Sequence, residues 1–428
     1  MKITVGESCM SSQKKRILVV EDSPIVLKIL RHIVNQELDP KCYQVDYVDS
    51  LAGAKESIQQ QDYFAALADL NLPDAPDGEV VDFILDKGIP CIVLTGSYSE
   101  ERREKLLTMG IVDYVVKESR FSYAYAVKLV QRLTLNEFIK VLVVEDSVTA
   151  RKYVKTLLQQ HLFQVLEAEN GVDALKVYEQ HPEVRLIITD YHMPEMDGFE
   201  LVRQIRMQSD KSDLAIIGLS SMEKGALSAK FIKNGANDFL QKPFFPEELH
   251  CRVIHNLESI EQIQALNEAA NRDYLTKLYN RRYLFNAGQE VHRNANQKKP
   301  LAVAMMSVDN FKDVNDQYGH EAGDALLIHM GELISESFSR FLTARLDGET
   351  FCVLLPGLSS SQALTLMEQF RLKVEDQGVY IGDQYIDTTI SVGVATQLVT
   401  SLDGMIHRAD EYLCRAKDMG SNQVVGES

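Results

Sequence analysis

Arg16-Ile17-Leu18-Val19-Val20-Glu21-Asp22-Ser23 returns 124 residues later as Lys140-Val141-Leu142-Val143-Val144-Glu145-Asp146-Ser147. The two copies continue to agree downstream. Each has a lone Asp after its third apolar run: Asp69 follows Tyr63 to Ala68, and Asp190 follows Leu186 to Thr189. Each has a hydroxyl after the fourth run, Thr95 and Ser220, and a Lys after the fifth, Lys117 and Lys242, with 22 residues from hydroxyl to Lys in both. Self-similarity on this scale means two domains of one type. Short β-branched runs alternate with amphipathic helical segments through residue 250, which predicts a parallel, doubly wound α/β sheet in each copy.

In such a sheet, ligands bind beyond the carboxyl ends of the strands. All the repeated polar residues fall at those ends, so each copy should gather three carboxylates, one hydroxyl and one ammonium in a single cleft. Three carboxylates together call for a divalent cation, and oxygen-only ligands suit Mg²⁺. A carboxylate beside Mg²⁺ can attack a phosphoryl group and become an acyl phosphate, with the Lys and the hydroxyl stabilising the transferring oxygens. Asp69 and Asp190 are the expected nucleophiles; Glu21 and Asp22, or Glu145 and Asp146, would hold the metal. A Glu-Asp-Ser run is also an ordinary helix N-cap. Repetition of the whole constellation favours chemistry over capping.

A chain of 428 residues has room for about three domains. Its 45% hydrophobic and 25% charged residues are those of a globular protein. The formal net charge of −17 argues against a general binder of nucleic acid or of anionic membranes, since both need a basic face. The six cysteines, Cys9, Cys42, Cys91, Cys251, Cys352 and Cys414, show no zinc or redox spacing, and free thiols in a reducing compartment is the simplest reading. Ile17 to Val20 is too short for a signal peptide core, and no apolar run reaches membrane-spanning length. Residues 1–13 read as a loose tail.

Between the copies, the last helix of copy one, about Ser122 to Leu135, runs almost directly into the strand at Val141, so the two should be held in a restricted relative orientation. After copy two, Leu249, Val253, Leu257, Ile260, Ile263 and Leu266 form one apolar helix stripe, either a final helix packed on its own domain or, as its length favours, a connector. The expected plan is copy one over 14–135, copy two over 139–258, a helical connector over 259–272 and a third unit over 273–428. In the third unit, strands at Leu301 to Val308, Phe341 to Leu346, Phe351 to Leu355 and Ile390 to Ala395 mix with helices in an order that suggests α+β with a substantially antiparallel sheet.

Both copies resemble receiver domains of bacterial two-component response regulators. Copy two is close throughout, with Asp190-Tyr-His-Met-Pro-Glu-Met-Asp-Gly198 and Lys242-Pro243. The resemblance implies the flavodoxin-like fold, Mg²⁺ in each domain, and phosphoacceptors at Asp69 and Asp190. The main-chain carbonyls at His192 and Asn71 would be further metal ligands, and Tyr114 and Phe239 the switch aromatics that follow Thr95 and Ser220. Copy one departs in two places: its loop Asp69-Leu-Asn-Leu-Pro-Asp-Ala-Pro-Asp-Gly78 is one residue longer, and Glu118 stands where a Pro should follow Lys117.

Asp273-Tyr-Leu-Thr-Lys-Leu-Tyr-Asn-Arg-Arg282, Asp309-Asn-Phe-Lys-Asp-Val-Asn-Asp-Gln-Tyr-Gly-His-Glu-Ala-Gly-Asp324, Ser391-Val-Gly-Val-Ala395 and Arg408-Ala-Asp-Glu-Tyr-Leu-Cys-Arg-Ala-Lys417 resemble the GGDEF domain of diguanylate cyclases, an α+β fold similar to nucleotidyl cyclases. Members condense two GTP into cyclic di-GMP across a dimer. The resemblance implies that Asn315 and Asp324 read the guanine and that Lys312 and Lys417 approach the phosphates. The metal half is altered. Ser307 stands where the family has a metal-binding Asp, and the signature hairpin reads Asp347-Gly348-Glu349-Thr350-Phe351, so Glu349 keeps one carboxylate and Thr350 replaces the next. Losing a carboxylate removes a full charge from a hard-cation site. Asp347 adds one where bare backbone is needed; two unit charges about 4 Å apart repel by about 1 kcal/mol in water and about 4 near a protein surface. The inhibitory Arg-x-x-Asp positions hold Phe338-Ser-Arg-Phe341, so no cyclic di-GMP receptor role is expected there.

The expected function is thus a phosphorylation-controlled cytoplasmic response regulator, served by a sensor histidine kinase or phosphotransfer protein. Its third domain would bind a downstream partner or GTP without turnover. An active cyclase with an unusual metal site that borrows Asp309, and a silent scaffold, are the competing readings. Homodimerisation is implied by the resemblance; neither nucleic acid nor membrane insertion is expected.

Overall fold

The computed structural model describes residues 14–96, 99–221, 226–296, 298–381 and 384–427; the expected tail over 1–13 lies outside them. The chain forms two compact units, one ending at Ile263 and the other beginning at Gln264.

The first unit contains two parallel sheets of five strands. In its first half, β1 (Lys15–Val20), β2 (Tyr43–Val48), β3 (Ala65–Asp69), β4 (Cys91–Thr95) and β5 (Asp113–Val116) alternate with α1 (Pro24–Glu37), α2 (Leu51–Gln60), α3 (Glu79–Asp86), α4 (Glu100–Met109) and α5 (Arg120–Asn136). The second half repeats this with β6 (Lys140–Val144), β7 (Gln164–Ala168), β8 (Val184–Asp190), β9 (Ala215–Ser220) and β10 (Asp238–Gln241). Its helices are α6 (Val148–Gln160), α7 (Gly171–Gln180), α8 (Gly198–Arg206), α9 (Ala226–Lys233) and α10 (Pro246–Asn271). The spatial orders, β2-β1-β3-β4-β5 and β7-β6-β8-β9-β10, are the same. The period-2 alternation of a strand explains the double winding. Ile17 and Val19 pack under α1 and α5, while Leu18 and Val20 pack under α2 and α3. Val141 and Val143 face α6 and α10, and Leu142 and Val144 face α7 and α8. Each such side chain, wholly buried, stabilises the fold by roughly 1.5–3 kcal/mol.

The two halves are docked together. Leu162 and Ile254 of the second half pack on the first half's core. Arg132 on α5 donates through Nη1 to both carboxylate oxygens of Glu261, at 2.7 and 3.0 Å. Arg103 on α4 donates through Nε and Nη2 to the two oxygens of Glu247, at 2.6 and 3.0 Å, on the first turn of α10. Asn136 Nδ2 donates to the His161 carbonyl at 2.9 Å. The short link after α5 is thus backed by side-chain contacts from both of its flanks. Helix α10 is continuous over the expected final helix and connector; Leu249, Val253, Leu257 and Ile260 are buried, and Ile263 and Leu266 are exposed.

In the second unit, β12 (Leu301–Val308), β13 (Leu342–Asp347), β14 (Thr350–Pro356) and β17 (Ile390–Ala395) are the long strands, with β11 (Tyr279–Asn280) and β18 (Val424–Gly426) at the edges. The sheet order is β11-β13-β14-β12-β17-β18, antiparallel through its centre and parallel at both edges. A separate hairpin pairs β15 (Val379–Ile381) with β16 (Gln384–Ile386). The helices are α11 (Arg281–Arg293), α12 (Phe311–Tyr318), α13 (His320–Ser337), α14 (Ser360–Gln377) and α15 (Leu402–Asp418). Phe338 is buried against Phe370, which explains a phenylalanine where the sequence pattern has Arg.

No helix among the described residues is long and apolar enough to cross a membrane. Cys91, Cys251, Cys352 and Cys414 are free thiols as expected, but Cys42 is disulfide-bonded, which corrects the reading of six free thiols.

His161 is 1% exposed, and its ring lies 3.7 Å from that of His250. Burial and then the neighbouring imidazole hold His161 well below the usual histidine range, and burial lowers His250 to about 4. Both rings are therefore neutral when folded, while unfolded histidines take a proton near about 6.5. The unfolded chain then binds more protons between about pH 6.5 and about pH 4, so stability falls as pH drops through that window. The unfolding temperature of the first unit is expected to decline from about pH 7 to about pH 5 in calorimetry, and less steeply in a His161→Phe/His250→Gln double variant.

Candidate functional site

Parallel pairing puts the repeated polar residues side by side. The Lys117 amide donates to the Thr95 carbonyl and the Lys242 amide to the Ser220 carbonyl, each at 2.8 Å, so the 22-residue spacing is one helical crossover closed in register. At the end of β1, Glu21 is fully buried; Asp69 at the end of β3 is 6% exposed. Lys117 Nζ bridges them, 2.6 Å from each carboxylate. In the second half, Lys242 Nζ lies 2.5 Å from both Glu145 and Asp190. Thr95 and Ser220 are buried beside these clusters, and Tyr114 and Phe239 are half-buried one strand away.

The electrostatics match in the two clefts. Burial raises Glu21 and Glu145 above the ordinary carboxylate value, opposed by the hydrogen bond and charge of the lysine. Burial would lower Lys117 and Lys242, but the hydrogen bonds to Asp69 and Glu21, and to Asp190 and Glu145, outweigh it, and both lysines sit above their usual value. The N-cap alternative holds in part: Ser147 caps α6 by accepting from Ala150, while Ser23 makes no such bond.

The donor chemistry suits Mg²⁺. One carboxylate oxygen each from Glu21, Asp22 and Asp69 lies within 4.8 Å of the others, the one such acidic group among the described residues. Asp146 is exposed at the same place in the second half, with His192 two residues after Asp190. The Asn71 amide donates to Asp69 at 3.2 Å and the His192 amide to Asp190 at 2.8 Å.

The loops differ physically. Gly198 lies so close to the end of β8 that a Cβ would stand 2.3 Å from the Asp190 carbonyl oxygen. Gly78, one residue further from Asp69 than Gly198 is from Asp190, has φ +90° and faces the Leu70 side chain instead. Asn71 Nδ2 donates to the Pro76 carbonyl at 2.7 Å across the longer loop. Lys242-Pro243 is cis, whereas Glu118 donates its amide to Val116, a bond a proline could not make.

In the second unit, register places Ser307 on β12 directly opposite Thr350 on β14. Ser307 is buried, and Lys417 Nζ from α15 donates to its hydroxyl at 2.9 Å. Two hydroxyls with an ammonium on one of them are the wrong donor set for a divalent cation. Asp309 is committed elsewhere: Oδ1 accepts from Ser391, and Oδ2 from Thr389 and the Asn422 amide. The hairpin turn survives with Gly348 at φ +40°, while Asp347 remains in β13 with a carboxylate oxygen 3.8 Å from Arg281. Arg345 braces the turn by donating to the Gly348 carbonyl at 2.8 Å and pairs with Asp273 at 3.0 Å. Glu349 is half-buried. The Asn315 amide lies against Gly323, where any Cβ would stand 2.0 Å from its Oδ1, next to the exposed Asp324. Lys312 is exposed on the first turn of α12.

A model of the response regulator receiver domain matches residues 17–125 and 141–254, more than half of the chain. The chain belongs to the response regulator receiver family. A model of the diguanylate cyclase GGDEF domain matches residues 270–423, so two tandem receivers precede a GGDEF domain. Response regulator PleD of Caulobacter vibrioides is 28% identical over 287 residues, 62% of this chain and 63% of that protein. Diguanylate cyclase A of Treponema denticola is 32% identical over 183 residues, 40% of this chain and 49% of that protein. The chain thus spans less than two thirds of either curated relative. A crystal structure of a two-component system response regulator/GGDEF domain protein is 49% identical, covering 58% of this chain and all of that one, with a TM-score of 0.54.

Sequence reasoning missed Arg103 and Glu247, which join the two receivers. They lie 144 residues apart, and no local pattern marks them as partners. In Lys242→Ala, Glu145 and Asp190 would remain buried without their shared cation. Because Lys242 is about one-fifth exposed, the expected loss is below the 3–5 kcal/mol typical of a broken buried pair, about 1–3 kcal/mol. Thermal unfolding in EDTA and in Mg²⁺ checks this; Mg²⁺ should recover more stability in the variant than in the wild type.

Proposed function

We propose that the protein is a phosphorylation-controlled response regulator of the bacterial cytoplasm. Asp190 and Asp69 accept phosphoryl groups from a sensor histidine kinase or a phosphotransfer protein, and the GGDEF domain binds a partner or GTP without making cyclic di-GMP. The observation that carries the silent-output reading is the Ser307–Thr350 cross-strand pair, hydroxyls facing each other at the place of two carboxylates. Asp309, with both oxygens engaged by Ser391, Thr389 and Asn422, is poorly placed to substitute, which disfavours the alternative of an active cyclase with an unusual metal site.

In the receivers, an Asp190 carboxylate oxygen attacks the phosphorus. The bond from phosphorus to the donor breaks, and its electron pair leaves with the donor. Lys242, until then shared by Asp190 and Glu145, turns one hydrogen bond to a phosphoryl oxygen, and the Ser220 hydroxyl donates to another. Glu145, Asp146, Asp190 and the His192 carbonyl would hold Mg²⁺, which would supply charge neutralisation there. Phe239 then follows Ser220 inward and relays the change to the α9 face. Lys117, Thr95 and Tyr114 have the same parts around Asp69. The intact Gly198 contact and Lys-Pro turn make Asp190 the more conventional acceptor. Homodimerisation through a receiver face is part of this reading.

Acetyl phosphate should label the wild type at two sites, and Asp69→Asn and Asp190→Asn should each remove one. With beryllofluoride and Mg²⁺ present, GTP should remain uncondensed. Cyclic di-GMP formed at ordinary cyclase rates would overturn the silent-output reading, and no label in any chain would overturn the receiver reading.

A further inference from the structure

Lys417 is placed differently from the two receiver lysines. Lys117 and Lys242 are each neutralised by two carboxylates within 2.6 Å. Lys417 rests instead on the uncharged Ser307 hydroxyl, 2.9 Å away. An ammonium has three donors, so this contact leaves the positive charge and two N–H groups available to an anion. Across the strand, Thr350 adds no charge. Asp309 is buried and spends its oxygens on Ser391, Thr389 and the Asn422 amide. The carboxylate that Asp347 adds at the hairpin has Arg281 3.8 Å away.

A divalent cation at a triphosphate site offsets repulsion between the phosphates and nearby carboxylates. Here the carboxylates are missing from both facing positions and Glu349 alone is kept beside them, while the side-chain cation remains. Charge is therefore balanced by a different route. On the reading above that this domain takes GTP, we propose that it binds the triphosphate without a divalent metal, the Lys417 ammonium on Ser307 standing in for the cation. The same substitutions that remove turnover would then make nucleotide binding indifferent to Mg²⁺.

The test is a fluorescence titration of the full chain with N-methylanthraniloyl-GTP in excess EDTA and in excess MgCl₂. The two dissociation constants should agree within about threefold. Lys417→Met should weaken binding in EDTA by about tenfold or more. Ser307→Asp/Thr350→Glu should weaken it in EDTA and regain it in Mg²⁺. Wild-type binding that appears only with Mg²⁺ overturns metal independence and leaves the GTP-binding reading standing. Binding in neither medium overturns both, leaving a protein partner as the domain's occupant. The wild-type comparison needs no variant, and circular dichroism shows whether each variant is folded.

Discussion

An ammonium shared between two buried carboxylates organises each receiver. Glu21 and Glu145 end their strands without solvent, a placement tolerable only because Lys117 and Lys242 reach them from the far side of the sheet. That reach requires the fifth strand to lie in register with the fourth, and the fourth with the third. The strand order, the crossover length and the positions of Asp69 and Asp190 all meet at this one cation.

The two receivers share this clamp but not its surroundings. In the second, the loop after Asp190 folds back so tightly that only a glycine fits over the Asp190 carbonyl. In the first, one extra residue moves the glycine off Asp69 and onto Leu70, and the Asn71–Pro76 contact closes the longer loop. The chemistry of the cleft can thus persist while the covering loop and the surface beyond Lys117 take another form.

Much of this was legible in the sequence. The repeated Val-Val-Glu-Asp phrase carried both parallel sheets, because buried strands and their terminal acids are encoded locally. The strand at Leu301–Val308 and the hairpin around Gly348 were readable for the same reason. Other features were not. Ser307 and Thr350 could be named as substitutions, but their direct opposition follows from antiparallel register, which no single strand contains. Gly348 carries the left-handed turn, and Asp347 stays in β13 beside Arg281, a pairing with a residue 66 positions earlier that no local pattern marks. The Arg103–Glu247 and Arg132–Glu261 pairs join residues more than a hundred positions apart, and such contacts leave no periodic trace.

Those two arginine pairs bear on how this chain can be divided or recombined. A cut in the short stretch after α5 looks natural by domain count, since it separates one receiver from the next. Separating the halves there would break the Arg132–Glu261 and Arg103–Glu247 pairs and uncover the part of the first core that Leu162 and Ile254 pack against. Exchange of one receiver for a homologue would meet the same obstacle unless α4, α5 and α10 travelled together. By these contacts the two receivers form one packed unit, and a boundary for recombination falls more naturally outside the pair than between its members.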